Sequence, residues 1–443
     1  MLIDSLPVLN RKVMYITGAI ILIAVIALAI AIPISVSSVG ESLPFVGSSV
    51  LDEVPLVDGH NDLPYNIYRL EHDRLKNFNL DSDLKKHPKW GNISSSHTDL
   101  PRLRKGKVGG QFWVAYVGCD SLDKDAVELT LDQIDVIKRL IKAYPNDLQY
   151  ADSAEGIWNA FENKKIASLI CVEGGHSMDN RLGVLRLYYE LGVRYMTLTH
   201  SCTLPWADAS PVDSSSLTTK HNLTEWGRKV VLEMNRLGMM VDISHVSKGV
   251  MLDAIHTSRS PVIFSHSSSW SVYNHHRNVQ DDVLFELKKN NGIIMINFYP
   301  GFLGNNTIDK AIEHLNYIKN LIGTDNIGIG ADYDGVGETP VGLEDVSTYP
   351  DLFNKLAESG HGYEPWTREE LKKLAGLNLL RVLKDVENVR DSLVNEEPYE
   401  DLIPYNDLTR DNQVQGCRTD LDTYLEAKSV EIESAPKKLN FPE

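Results

Sequence analysis

Apolar, largely β-branched runs recur along the chain at 54–60, 111–117, 166–173, 195–200, 239–245, 261–266, 292–299 and 326–331. They are continuous rather than alternating with polar residues, which is the habit of strands buried on both faces in a parallel sheet. Between them lie segments of helical period, among them 220–237, 248–257, 281–290 and 308–322. In 308–322, Ile308, Ala311, Ile312, Leu315, Ile318, Leu321 and Ile322 form one stripe, with Lys310, Glu313 and Lys319 opposite. Eight β/α alternations predict an α/β fold, a (β/α)8 TIM-type barrel with insertions, and a doubly wound sheet is the runner-up. The polar stretch 61–107 reads as a long loop over the barrel mouth or around its side. A helix is expected at 368–384, followed by an acidic, aperiodic tail that wraps a surface or meets a partner.

The ends of the chain alter this picture. Residues 13–36 carry no charge and suffice for a helix across the hydrocarbon core, with Arg11 and Lys12 just before them. We therefore expect a cytoplasmic tail (1–12), a transmembrane signal-anchor (13–36), a stalk (37–50), a barrel domain (51–390) and a C-terminal extension (391–443). The resulting topology is single-pass type II, with the barrel extracellular or lumenal; the alternative is secretion after signal cleavage. Sequons at Asn92, Asn222 and Asn305 agree with either route. Of the four cysteines, Cys119, Cys171, Cys202 and Cys417, at most two bridges could form within a chain, and spacing alone does not pair them. A net charge of −17 without a basic cluster argues against a nucleic-acid partner.

The chemistry gathers where the apolar runs end. His60 and Asp62 close the first run, Glu173 the third, His245 the fifth and His266 the sixth. Strand ends at one rim of a closed sheet bring such residues together, and imidazoles with carboxylates and no sulfur suit divalent cations. The expected sets are His60, Asp62 and Glu173 for one cation and Glu173, His245 and His266 for a second, with Glu173 bridging. Two ions roughly 3.5–4 Å apart would share a water and lower its pKa toward neutrality. His200, at the end of the fourth run, is placed to donate to a developing oxyanion. Asp332, after the eighth, is placed to carry a proton, and Asp334 is the less favoured alternative. Arg277 is a candidate clamp for a substrate carboxylate. Cys171 shares a strand face with Glu173 but should pack one layer lower, so it is read as core.

The segments VDGHNDLP (57–64), CVEGGHS (171–177), RYMTLTHSC (194–202), VDISHVS (241–247), FSHSSSWSV (264–272), RNVQDD (277–282) and GIGADYDGV (328–336) resemble the membrane dipeptidase, or renal dipeptidase, family over about residues 52–420. The resemblance implies a (β/α)8 barrel with two Zn2+ ions per subunit that hydrolyses dipeptides through a metal-bridging hydroxide. It implies the same ligand and substrate residues by motif and adds Tyr299 as a pocket residue. It further implies a Cys119–Cys202 disulfide, and Cys417 as an inter-chain cysteine of a disulfide-linked homodimer. Tyr273 stands where mammalian members have a cysteine, and the loop after Tyr299 lacks that cysteine's partner, so a second internal bridge is not expected. The family's C-terminal lipid attachment is not expected either; this chain carries its apolar segment at the N-terminal side.

Overall fold

The computed structural model describes residues 45–214, 221–358 and 362–408. The chain divides into two units, Met1–Val46 and Gly47–Glu443. The predicted span 13–36 lies outside the described residues, among which no helix is long and apolar enough to cross a membrane.

All eight predicted strands form. In chain order they are β1 (Leu56–Asn61), β2 (Val108–Tyr116), β4 (Ile166–Glu173), β5 (Val193–Thr197), β6 (Met240–Asp242), β7 (Ile263–Phe264), β8 (Ile293–Ile296) and β9 (Ile327–Ile329). One strand was not anticipated: β3 (Leu148–Tyr150), too short to give a periodic signal. The sheet is parallel in the order β2-β1-β9-β8-β7-β6-β5-β4-β3, and β2 also pairs with β4. That extra pairing closes an eight-stranded barrel and leaves β3 as a flap on β4. Register across the sheet sets Tyr116 beside Glu173, Glu173 beside Thr197 and Thr197 beside Asp242. Functional groups from four different strands thus meet through backbone pairing alone.

Side-chain character explains the closure. Every residue of β1 and β4 is buried, and Phe112, Val114, Leu169, Cys171, Tyr195, Met240, Ile293 and Met295 belong to one apolar cluster. Helices cover the outside, and side-chain caps set the starts of several of them. Ser153 caps Ala154–Glu162 and Ser247 caps Lys248–Thr257. Thr224 caps Glu225–Leu237, which is why that helix begins later than the predicted 220.

Three boundaries differ from expectation. Residues 47–50, read as stalk, belong to the barrel domain: Gly47–Asp52 is a 3-10 helix with Val50 and Leu51 buried. Gly47 lies so close to the Phe353 carbonyl that a Cβ would overlap it. The stretch 61–107 is not a plain loop, since it holds helices Leu63–Glu71 and Leu100–Lys105 and buries Leu80, Leu84 and Trp90. The helix expected at 368–384 starts at Arg368, passes through a π-helical turn at Lys373–Leu377 and continues as Asn378–Ser392 rather than stopping at 384. Its buried Glu387 accepts the Ala154 N–H at 2.8 Å, capping a second helix from outside. Beyond it the tail follows the surface, with the Tyr399 carbonyl accepting from Arg186 at 3.0 Å.

Candidate metal centre

His60 is the penultimate residue of β1 and Asp62 stands just before the helix that follows, its side chain not spent on capping it, so one turn of chain presents both side chains. The His60 Nε2 lies 3.3 Å from Asp62 Oδ2 and 3.6 Å from Glu173 Oε1. From the other side, His245 Nε2 is 3.0 Å and His266 Nε2 3.4 Å from that same Glu173 oxygen. The two imidazole nitrogens are 2.8 Å apart. Three of the predicted ligands, His60, His245 and His266, therefore converge on an oxygen of the fourth, Glu173, and the fifth, Asp62, stands against His60.

His245 reaches this point from a left-handed backbone conformation (φ 66°), held by Ser210 N–H on its carbonyl at 2.7 Å and by the Thr199 hydroxyl at 3.2 Å. Asp332 takes the same conformation (φ 67°), and its Oδ1 is 3.9 Å from His60 Nε2 while Oδ2 accepts from Asn297 Nδ2 at 2.8 Å. Such backbone is uncommon outside glycine and persists where surrounding bonds fix it.

The electrostatics call for cations. Burial lifts the carboxyls of Glu173 and Asp332 above the ordinary range, and neighbouring Asp62 adds to the lift. Burial alone would depress His60, but the Glu173 and Asp62 carboxylates outweigh it and raise its pKa. His245 and His266 are held neutral by burial and by Arg277, which is the form that offers a lone pair to a metal. The His60 Nε2 is buried with no hydrogen-bond partner. An orphaned nitrogen, two facing imidazole nitrogens and a shared carboxylate oxygen are what a pair of divalent cations would satisfy, and the donor set fits them. Candidate metal-holding groups are His60–Asp62–Glu173, Glu173–His200–His245 and His60–His266–Asp332.

The site opens into a cavity of about 600 Å³. Arg277 is buried on its wall, donating to Ser267 Oγ at 3.3 Å and to the His266 carbonyl at 3.1 Å, with Nε unpartnered. His200 sits at the mouth, its ring 4.5 Å from that of His245, and burial with the nearby Arg277 charge presses its pKa down to about 3. Tyr299 lines the same wall. Asp334 does not face the ligands: Asn66 Nδ2 donates to its carbonyl at 2.9 Å and to its carboxylate at 3.2 Å. Sequence reading missed Tyr65, Tyr116, His275, His276 and Phe302, all of which line the cavity. Of these, only the adjacent pair His275-His276 beside Arg277 stands out in the sequence.

The Cys119–Cys202 disulfide is present, tying the end of β2 to the segment after His200. Cys171 is free and buried, as expected of a core residue. Cys417 lies outside the described residues. At the place of the missing second bridge, the Tyr273 ring packs on Gly304, where a Cβ would overlap it. Asn278 joins the two loops instead, donating to the carbonyls of Tyr273 at 2.9 Å and Phe302 at 2.7 Å.

Residues 47–397 match the membrane dipeptidase family, peptidase family M19. The chain belongs to that family. Its relatives include Dipeptidase 3 of Mus musculus, 44% identical over 80% of this chain and 69% of the relative. Dipeptidase 3 of Homo sapiens is also 44% identical, over 82% and 71%. Among solved structures, dipeptidase AC, a metallopeptidase of family M19, aligns with TM-score 0.65 and 25% identity over 75% of this chain and 98% of its own. A Rhodobacter sphaeroides metallopeptidase bound to a phosphinate mimic of L-Ala-D-Ala shares the fold, with TM-score 0.64 and 24% identity over 75% and 99%. This member of the family is thus a dipeptidase-type metallopeptidase built on the barrel described above.

Proposed function

We propose that this protein hydrolyses dipeptides with two Zn2+ ions per subunit, held by His60, Asp62, Glu173, His245 and His266. The observation that carries the reading is the convergence of the His60, His245 and His266 imidazoles on one Glu173 oxygen, with Asp62 against His60, at the floor of a cavity walled by Arg277. When bound, the cations supply Lewis acidity and a water ionised near neutral pH.

The chain's own groups do the rest. Arg277 is buried with an unused N–H, so a substrate carboxylate gains a charge-assisted bond that replaces no existing one. His200, neutral at physiological pH, donates to the oxyanion that forms as the peptide carbonyl is attacked. Asp332, fixed by Asn297, receives the proton of the attacking water and returns it to the leaving amine. The Tyr299 and Tyr116 side chains line the cavity and exclude water from the bound substrate. A clamp on the free carboxylate, with carboxylates near the amine, limits the substrate to two residues.

We extend the proposal to the setting of the enzyme: a type II membrane protein anchored through 13–36 with the barrel outside the cytoplasm, or its secreted form, dimerised through Cys417. Asn92 and Asn305 are exposed and Asn222 is only partly so, which makes the first two the better glycan acceptors.

A panel of a dipeptide, its C-terminal amide, its N-acetyl derivative and a tripeptide tests the assignment, each assayed with and without a chelator. Hydrolysis of the free dipeptide alone, abolished by chelation, is expected. Equal turnover of the amide would remove Arg277 from its role, and chelator-resistant turnover would remove the metals.

A further inference from the structure

Two aspartates that no catalytic step uses stand behind the ligands. Asp58 precedes His60 in VDGH, and Asp242 precedes His245 in VDISH. Both are fully buried. Isolated carboxylates inside a barrel are costly, so each requires a full set of donors. Asp58 accepts the Ala331 N–H at 3.0 Å, the His60 N–H at 3.3 Å and the Tyr349 hydroxyl at 2.7 Å. Asp242 accepts the Ser244 N–H at 3.0 Å and the Ser265 N–H at 2.9 Å on Oδ1, with the Ser265 hydroxyl at 2.6 Å and the Thr197 hydroxyl on Oδ2.

Asp242 goes further than bracing backbone. The Ser265 Oγ that donates to it lies 2.7 Å from His266 Nδ1. With its own hydrogen committed to the carboxylate, that oxygen can only accept from the imidazole. His266 must therefore carry its proton on Nδ1, which leaves the Nε2 lone pair directed at Glu173 and His245. An outer carboxylate that fixes tautomer and ring angle in this way raises the basicity of a ligating imidazole. We propose that Asp242, acting through Ser265, is a positioning residue that sets the tautomer and orientation of His266 and thereby the affinity for one of the two cations. Ser265 is the relay: it is the hydroxyl through which carboxylate and imidazole are coupled.

This inference rests on the binuclear reading, and the experiment separates the two. Full-length wild type, Ser265→Ala, Ser265→Thr and Thr197→Val are purified in detergent and stripped of metal, and each is titrated with Zn2+ and with Co2+ against a chromophoric chelator. Thermal unfolding of the stripped proteins is the folding control. Ser265→Ala is expected to bind one cation roughly 10–100-fold more weakly while the other is held as in wild type. Ser265→Thr, which keeps the hydroxyl, should stay within about threefold of wild type, as should Thr197→Val, which removes a bond to Asp242 outside the relay. Visible absorption of the Co2+ protein reports the altered ligand field independently of turnover. Wild-type affinity in Ser265→Ala, or equal losses in Ser265→Ala and Ser265→Thr, would overturn the relay while leaving the binuclear site intact. A wild-type chain that binds no cation would instead overturn the metal reading itself.

Discussion

The rim of the barrel and the aspartate braces behind it use the same chemistry to opposite ends. Asp58 and Asp242 have every carboxylate oxygen occupied by donors from the surrounding chain. At the rim, a few residues along the same strands, carboxylates crowd one another, His60 Nε2 is orphaned and Arg277 Nε has no partner. Buried polar groups that are satisfied fix geometry; those left unsatisfied mark where a ligand is to supply what the protein withholds. Holding geometry and offering it to a ligand are thus divided between two sets of acids only a few residues apart.

The largest effect that could break this division comes from Glu173→Gln. It should abolish metal binding and reduce dipeptide hydrolysis by more than the roughly 10–100-fold typical of outer-sphere changes. Because burial already disfavours the ionised Glu173, the metal-free variant should be at least as stable as metal-free wild type. Metal content, turnover and denaturant unfolding measured on one preparation decide it, and a fully active variant retaining both metals would refute the bridge.

Asp58→Ala should show the converse. It strands the Ala331 and His60 N–H groups and the Tyr349 hydroxyl, at about 1–3 kcal/mol for each donor left unpaired, with a combined loss near 3–5 kcal/mol. Urea unfolding reads this directly; a loss below about 1 kcal/mol would mean that the brace is redundant.

Arg277→Ala sharpens the picture on the substrate side. Loss of the clamp should cost about 2–5 kcal/mol in kcat/KM, expressed mainly as a higher KM for free dipeptides. An unchanged KM would detach Arg277 from the carboxylate.

The smallest effect concerns a histidine that serves folding rather than chemistry. Burial presses His314 down to about 4; its Nδ1 accepts the Ser269 N–H at 3.0 Å, and its Nε2–H donates to the Leu303 carbonyl. A folded-state pKa below the unfolded value near 6.5 gives stability that is complete above that value and drains away as pH falls toward 4, by up to about 1.4 kcal/mol per pH unit. His314→Gln, measured in metal-free protein, should flatten the stability profile across that window. An unaltered slope would show that His314 is not the group responsible.

The rim was more legible in the sequence than the braces. Each proposed ligand stands at the end of an apolar run, so strand prediction and metal chemistry pointed to the same five residues. Asp58 and Asp242 carried a signal too, as single charges inside apolar runs, but their donors come from chain segments up to 291 residues away. Local pattern cannot reveal such partners. The same limit hid Tyr65 and Tyr116, which read as ordinary loop and strand residues until barrel closure brings them to the cavity. It also hid the helices within 61–107, where Leu80, Leu84 and Trp90 are spaced too irregularly to announce a buried face.

In the proposed site, five side chains gather two cations that make this barrel a dipeptidase. Returning Zn2+ in measured equivalents to the stripped full-length protein, with bound metal and hydrolysis of a free dipeptide followed together, tests it most directly. Activity should rise with occupancy and level off at two equivalents per chain; a chain that takes up no metal, or one equally active without it, would contradict the account.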